Sequence, residues 1–199
     1  SIAETLRILD ACGFERERDR TLYVSMELAI AGSTFGLFAR PIENSAEAAI
    51  GGGALARYLP GWLDQVSPDW RHDPMIEHAL ILARIAADLD TANAGEPFAE
   101  LADSAIRLCR EREMREHRTV GSEASAQPCL GFLSNGQERY FFELHHFTSR
   151  EGERVFGAGK AANAPRVRAV SAALRTHFAV EPPASGEAVI DVYRQLSGC

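Results

Sequence analysis

From Asp73 to Asp90 the chain reads DPMIEHALILARIAADLD, and no other stretch constrains the fold as much. Asp73 is a side-chain cap for a first helical turn, and Pro74 suits that turn because its missing N–H is no loss there. Apolar residues then cover most of the circumference, so the sequence predicts a central helix buried among other elements. Only Glu77, Arg84 and Asp88 form a polar stripe, at offsets 0, 7 and 11. That stripe is a candidate pocket lining, set against the plainer reading of an exposed edge.

The flanking segments predict what covers this helix. In TLYVSMELAI, Leu22, Val24, Met26, Leu28 and Ile30 share one face, with Tyr23, Ser25 and Glu27 on the other. Period two is the pattern of a half-buried strand. A turn at residues 32–34 and a partner strand in FGLFARPI, ended by Pro41, complete a first hairpin. A second is expected around Asn135-Gly136, a strong two-residue hairpin signal between CLGFL and ERYFFELHHF. ERVFGAG adds a further strand. Helices are expected over residues 2–12 with Gly13 as the stop, and from about Pro97 through RLCREREMREHR, with Phe98, Leu101, Ala105 and Leu108 inward. Two more should start near Pro165 and run through GEAVIDVYRQL. The expectation is an α+β fold, an antiparallel sheet of about five strands in two hairpin units packed against helices. It forms a single domain over residues 1–199, with 43–72 as an irregular connector. The three glycines at 51–53 either let backbone approach a ligand or act as a flexible joint.

Composition narrows the function classes. A chain of 199 residues with 46% apolar and 25% charged side chains has an ordinary globular mix. No apolar run approaches the roughly 20 residues that span a bilayer. A net charge of −7 argues against non-specific nucleic acid or acidic membrane binding. Residues 1–100 carry 8 basic and 16 acidic side chains, and residues 101–199 carry 13 and 12, so an anionic ligand is better received in the second half. Cys12, Cys109, Cys129 and Cys199 are widely spread and give no zinc signature, which points to reduced thiols in a cytoplasmic protein. Lys160 is the only lysine, a bias that hints at a GC-rich bacterial genome.

Two segments carry candidate chemistry. In the expected hairpin, Cys129 faces Phe142, while Glu143 and His145 share a face. His146 points to the other, with Tyr140, Phe142 and Leu144 as a core face. Glu143 and His145 are therefore the candidate acid–base or metal pair. A Cys129–His146 dyad fails in this register, because the two lie about 13 Å apart along the strand. The second segment, RVFGAGKAANAPRVR (154–168), joins Arg154, Gly157, Gly159 and Lys160 to Arg166 and Arg168 near a helix start. Backbone N–H groups there, with nearby cations, are a candidate phosphate or carboxylate site.

Arg154-Val-Phe-Gly157-Ala-Gly159 resembles the pyrophosphate loop of the acetyl-CoA-dependent N-acetyltransferase family, whose loop leaves a strand and opens a helix. That resemblance, over about residues 74–178, implies acyl transfer with acetyl-CoA held at 154–159. Three functions are expected. The first is a binding or interaction domain with a protein partner or self-association as a homodimer, and an anionic small molecule at 154–168. The second is an acyl-CoA-dependent N-acyltransferase-like enzyme. The third is metal-assisted chemistry at Glu143 and His145.

Overall fold

The computed structural model describes residues 2–33 and 55–199. Among the described residues there is no strand, and the fold is all-helical. The expected five-stranded antiparallel sheet is therefore replaced by helices. The partner strand at 35–42 and the glycines at 51–53 lie outside the described residues. The chain forms two compact units, one of residues 1–91 and 146–155, the other of residues 92–145 and 156–199.

The first unit begins with α1 (Ile2–Ala11), stopped by Gly13 in a left-handed conformation (φ +82°), as the sequence suggests. Next comes α2 (Arg20–Ser33), the segment expected as a strand. Two of its alternating apolar residues, Val24 and Leu28, also fall at helical spacing with Ala31, and this set packs inward. Leu, Met, Glu and Ala, all strong helix formers, supply much of the segment. Helix α3 (Leu59–Val66) and a 3-10 turn (Pro68–His72) lead to α4 (Pro74–Asp90). Asp73 caps α4 by accepting a bond from the Met75 N–H at 3.0 Å. Leu28, Leu59, Leu63, Trp70, Ile76 and Leu80 fill the core. Helices α2 and α4 approach closely because the contact is Gly32 on Ala83. A Cβ on Gly32 would lie 3.0 Å from the Ala83 carbonyl oxygen.

The second unit contains α5 (Phe98–Arg115) and α6 (Ala126–Gly131). From α6 the helical backbone continues through a π turn (Phe132–Gly136), one α turn, α7 (Gln137–Arg139), and a second π turn (Tyr140–Leu144). The Asn135-Gly136 hairpin is thus absent. The signal depends on left-handed residues, yet Gly136 is right-handed helical at φ −62°. On α5, Phe98, Leu101 and Ala105 are buried as expected, but Leu108 is exposed and Cys109 takes the inner position. His117, at φ +54°, holds the left-handed position that stops α5, a conformation unusual outside glycine.

Helix α8 (Arg150–Val180) starts in the first unit and continues in the second. It replaces both the expected strand at 153–159 and the helix start near Pro165, which lies inside it. Proline there forgoes one i→i−4 hydrogen bond without ending a helix of 31 residues. Helix α9 (Gly186–Ser197) closes the chain, with Ser185 as its cap: its hydroxyl accepts from the Ala188 N–H at 3.2 Å.

Candidate functional site

The residues singled out for anion binding are distributed along one helix and have structural contacts. Gly159 faces Gly95, and a Cβ at 159 would collide with the Gly95 carbonyl. Four residues on, Asn163 is buried and its side-chain amide donates to the carbonyls of Ala94 (3.1 Å) and Glu96 (2.8 Å). Small residue and amide therefore anchor the 92–96 turn against α8. Lys160 donates to the His145 carbonyl at 2.6 Å and sits 5.3 Å from the Phe141 ring centroid. Arg166 lies 4.2 Å over Phe98 and donates to the Ser197 carbonyl, while Arg168 lies 4.2 Å over Phe142. Cation–π stacking accounts for these placements. Arg154 is exposed, and Gly157 is interior to the helix. The strand-to-loop-to-helix geometry behind the acetyltransferase resemblance is not formed.

Glu143 and His145 are not brought together. Glu143 is exposed and 3.8 Å from Arg139, a turn away on the same helical stretch. His145 ends that stretch in an extended conformation and is 1% exposed, its ring 5.5 Å from that of Tyr140. The two histidines do differ in burial, but in the opposite sense to the expected core face: His146 is the exposed one. Among the described residues no three His, Cys, Asp or Glu side chains are grouped to hold a metal ion.

The polar stripe of α4 splits three ways. Glu77 is exposed, Arg84 is half-buried, and Asp88 is 2% exposed. Asp88 accepts from the Thr148 N–H (2.6 Å) and hydroxyl (3.0 Å), and from the Ser149 N–H (2.7 Å) and hydroxyl (2.5 Å). Ser149 caps α8, its hydroxyl accepting from the Gly152 N–H at 2.9 Å, and the carboxylate holds that cap from another helix, where the macrodipole favours a negative charge. Gly152 completes the fit, since a Cβ there would meet Asp88. The expected pocket residue anchors the residue that caps α8.

Two constellations escape sequence reasoning. One lies in the second unit around Cys109 of α5 and Cys129 of α6, both fully buried. The neighbouring Cys129 thiol, then burial, pushes the Cys109 thiol far up. Cys109 in turn holds Cys129 below the ordinary thiol range, against burial and the nearby Glu113, with help from Arg112 and Arg118. Glu113 is fully buried and forked onto Arg118, at 2.6 and 3.0 Å. The charged run after Leu108, which reads as plain solvated surface, thus supplies an inward ion pair.

The other lies in the first unit. Helix α4 buries Ile76, Ala79, Leu80, Ala83 and Ala87, yet Ile81 is 51%, Leu82 37% and Leu89 61% exposed. The helix is apolar on two sides and buries one. Along α3 and its N-cap residue, Tyr58, Trp62 and Val66 form an exposed line at helical spacing beside the buried Leu59 and Leu63. Among the described residues, ten of the fourteen large apolar side chains that stay exposed belong to this unit. No described helix is long and apolar enough to cross a membrane. Compared with protein-family models, curated proteins and solved structures, the chain matches none.

Proposed function

We propose that this chain is an interaction protein whose first unit docks a cationic, amphipathic helical segment of a partner. The outward ridge of α4 carries the reading. Ile81, Leu82 and Leu89 follow helical spacing on the side away from the Ala79–Ala83–Ala87 face, with the half-buried Ile85 between them. An apolar line at i, i+4 and i+8 is what a second amphipathic helix packs against. Charge selects the sign of the partner. The first unit holds ten basic and sixteen acidic side chains, −6, whereas the second holds eleven and twelve, −1. Glu77 on α4 and Asp69 before it are exposed and acidic. Burying about 600 Å² of apolar surface at about 25 cal/mol/Å² gives a gross gain of about 15 kcal/mol, much of it offset by the cost of association.

The test uses a fluorescein-labelled amphipathic helix of leucine and arginine, and a scrambled peptide of the same composition. At physiological salt the amphipathic peptide should raise anisotropy on titration with the full chain, and the scrambled one should not. Leu89→Glu and Ile81→Glu should each weaken binding about tenfold or more, the scale of one buried anchor. Equal binding of both peptides, or no loss in either variant, would overturn the reading. Concentration-dependent self-association that Leu89→Glu abolishes would also overturn it, in favour of a second copy of this chain.

A further inference from the structure

We infer that protonation of His78 releases the docked helix, a regulation that rests on the docking reading itself. The outward ridge of α4 runs His78, Ile81, Leu82, Ile85 and Leu89, at offsets 0, 3, 4, 7 and 11. Those offsets keep all five side chains on one side of a helix with about 3.6 residues per turn. His78, Ile81, Leu82 and Leu89 are exposed, and Ile85 is half-buried. Four of the five are aliphatic, and the fifth is an imidazole. Residues three and four apart are neighbours on a helix surface, so a partner that covers Ile81 and Leu82 also covers His78.

Histidine is the side chain that ordinarily changes charge between about pH 5 and 8. Two effects decide which form the docked state accepts, and they have the same sign. Burial under the partner penalises the charged imidazolium. The partner, selected by the first unit's net charge of −6, is itself cationic, and its guanidinium groups repel a second cation. The complex therefore takes the neutral imidazole, and protonation competes with docking. Affinity is full at the alkaline side of this range and is lost as pH falls through it. Complete exclusion of the proton raises Kd about tenfold between about pH 7.5 and about pH 5.5, over which a histidine goes from mostly neutral to mostly charged.

The charged groups on the elements packed on α4 are Arg20 and Glu27 of α2, Arg57 of the turn Leu55–Arg57, and Asp69, Arg71 and His72 of the turn Pro68–His72. Arg20 is engaged by Asp73 (3.4 Å), Glu27 by Arg16 (3.5 Å) and Arg71 by Asp64. On α4 itself, Glu77 and Arg84 lie on one flank of the ridge. Asp88, with the start of α8 that it holds, is ten residues further on, about 15 Å along the axis. Carboxylates and guanidinium groups ordinarily keep their charge over this pH span. His72 is the other histidine in this set, and it stands outside the ridge.

The experiment titrates the full chain with the leucine–arginine helix, acetylated, amidated and labelled with a pH-insensitive rhodamine, so that the peptide itself does not titrate. Moving from about pH 7.5 to about pH 5.5 should weaken binding to the natural sequence about tenfold. His78→Gln should bind equally at both pH values, within about twofold. His78→Lys, which fixes a cation on the ridge, should bind about tenfold more weakly at both. His72→Gln should keep the natural response. Equal affinity at both pH values overturns the inference and leaves the docking reading standing, whereas no binding at about pH 7.5 removes both. A pH response that persists in His78→Gln, or that His72→Gln abolishes, also overturns it.

Discussion

The two units divide the chain almost evenly, yet they treat their apolar residues differently. In the second unit, α5 buries most of its apolar side chains, and several polar groups inside have partners: Glu113 with Arg118, Asn163 with two carbonyls, Ser125 with three backbone groups. In the first unit, α4 is apolar on two sides and buries one, and α3 leaves Tyr58 and Trp62 partly in water. Single exposed apolar residues need no explanation, whereas a line of them along a helix marks a contact surface. On the function proposed above the first unit is the one that recognises a partner, and the contrast can be broken at several points.

The largest expected effect is in the second unit. Gly159→Val forces a branched side chain into the Gly95 carbonyl, a backbone atom that cannot swing away. Overpacking of this kind should cost about 3 kcal/mol, read as a lower urea midpoint. A loss below about 1 kcal/mol would mean that this interior is looser than its contacts imply.

Asp88→Ala should cost less, about 2 kcal/mol, because Thr148 and Ser149 lose the acceptor of their N–H groups and hydroxyls. Hydrogen exchange should quicken over residues 148–153, and unchanged exchange there would break the capping account.

A titration sharpens the first unit further. The Tyr23 hydroxyl donates to Asp10 at 2.6 Å, and that bond, followed by burial, raises the phenol from 10.0 to about 12. The folded-state value is the higher, so this stability is fully present below pH 10.0 and is lost as pH rises through about 12. Tyr23→Phe should remove that step from the stability–pH curve. The smallest effect is a gain. Gly131 is helical, and a Cβ added there would meet nothing within 4 Å. Gly131→Ala should therefore stabilise by about 0.5 kcal/mol in urea melts.

Helix ends are legible in the sequence, because caps and stops are local chemistry. Gly13, Asp73 and Pro74 act where the residue types place them. The expected sheet fails for a physical reason. Apolar residues at 22, 24, 26, 28 and 30 satisfy period two, yet 24 and 28 also satisfy a helical turn, and packing on α4 selects the helix. Asn135-Gly136 gives a hairpin only where left-handed backbone is wanted, and here a π turn absorbs both residues. Gly159 is visible as a small residue, but small for helix packing and small for a phosphate look alike in one sequence. The Cys109–Cys129 proximity has no sequence signal at all. It comes from the tertiary packing of two helices, and no spacing rule relates positions 109 and 129. Likewise, the apolar coat of α4 announces burial on every side, and only the fold reveals which side stays open.

Hydrogen exchange of the full chain, with and without the leucine–arginine helix at saturation, tests the division of labour most directly. The account expects added protection over α3 and α4, with α5, α6 and α9 unchanged. Protection concentrated in the second unit, or spread evenly over both, would contradict it.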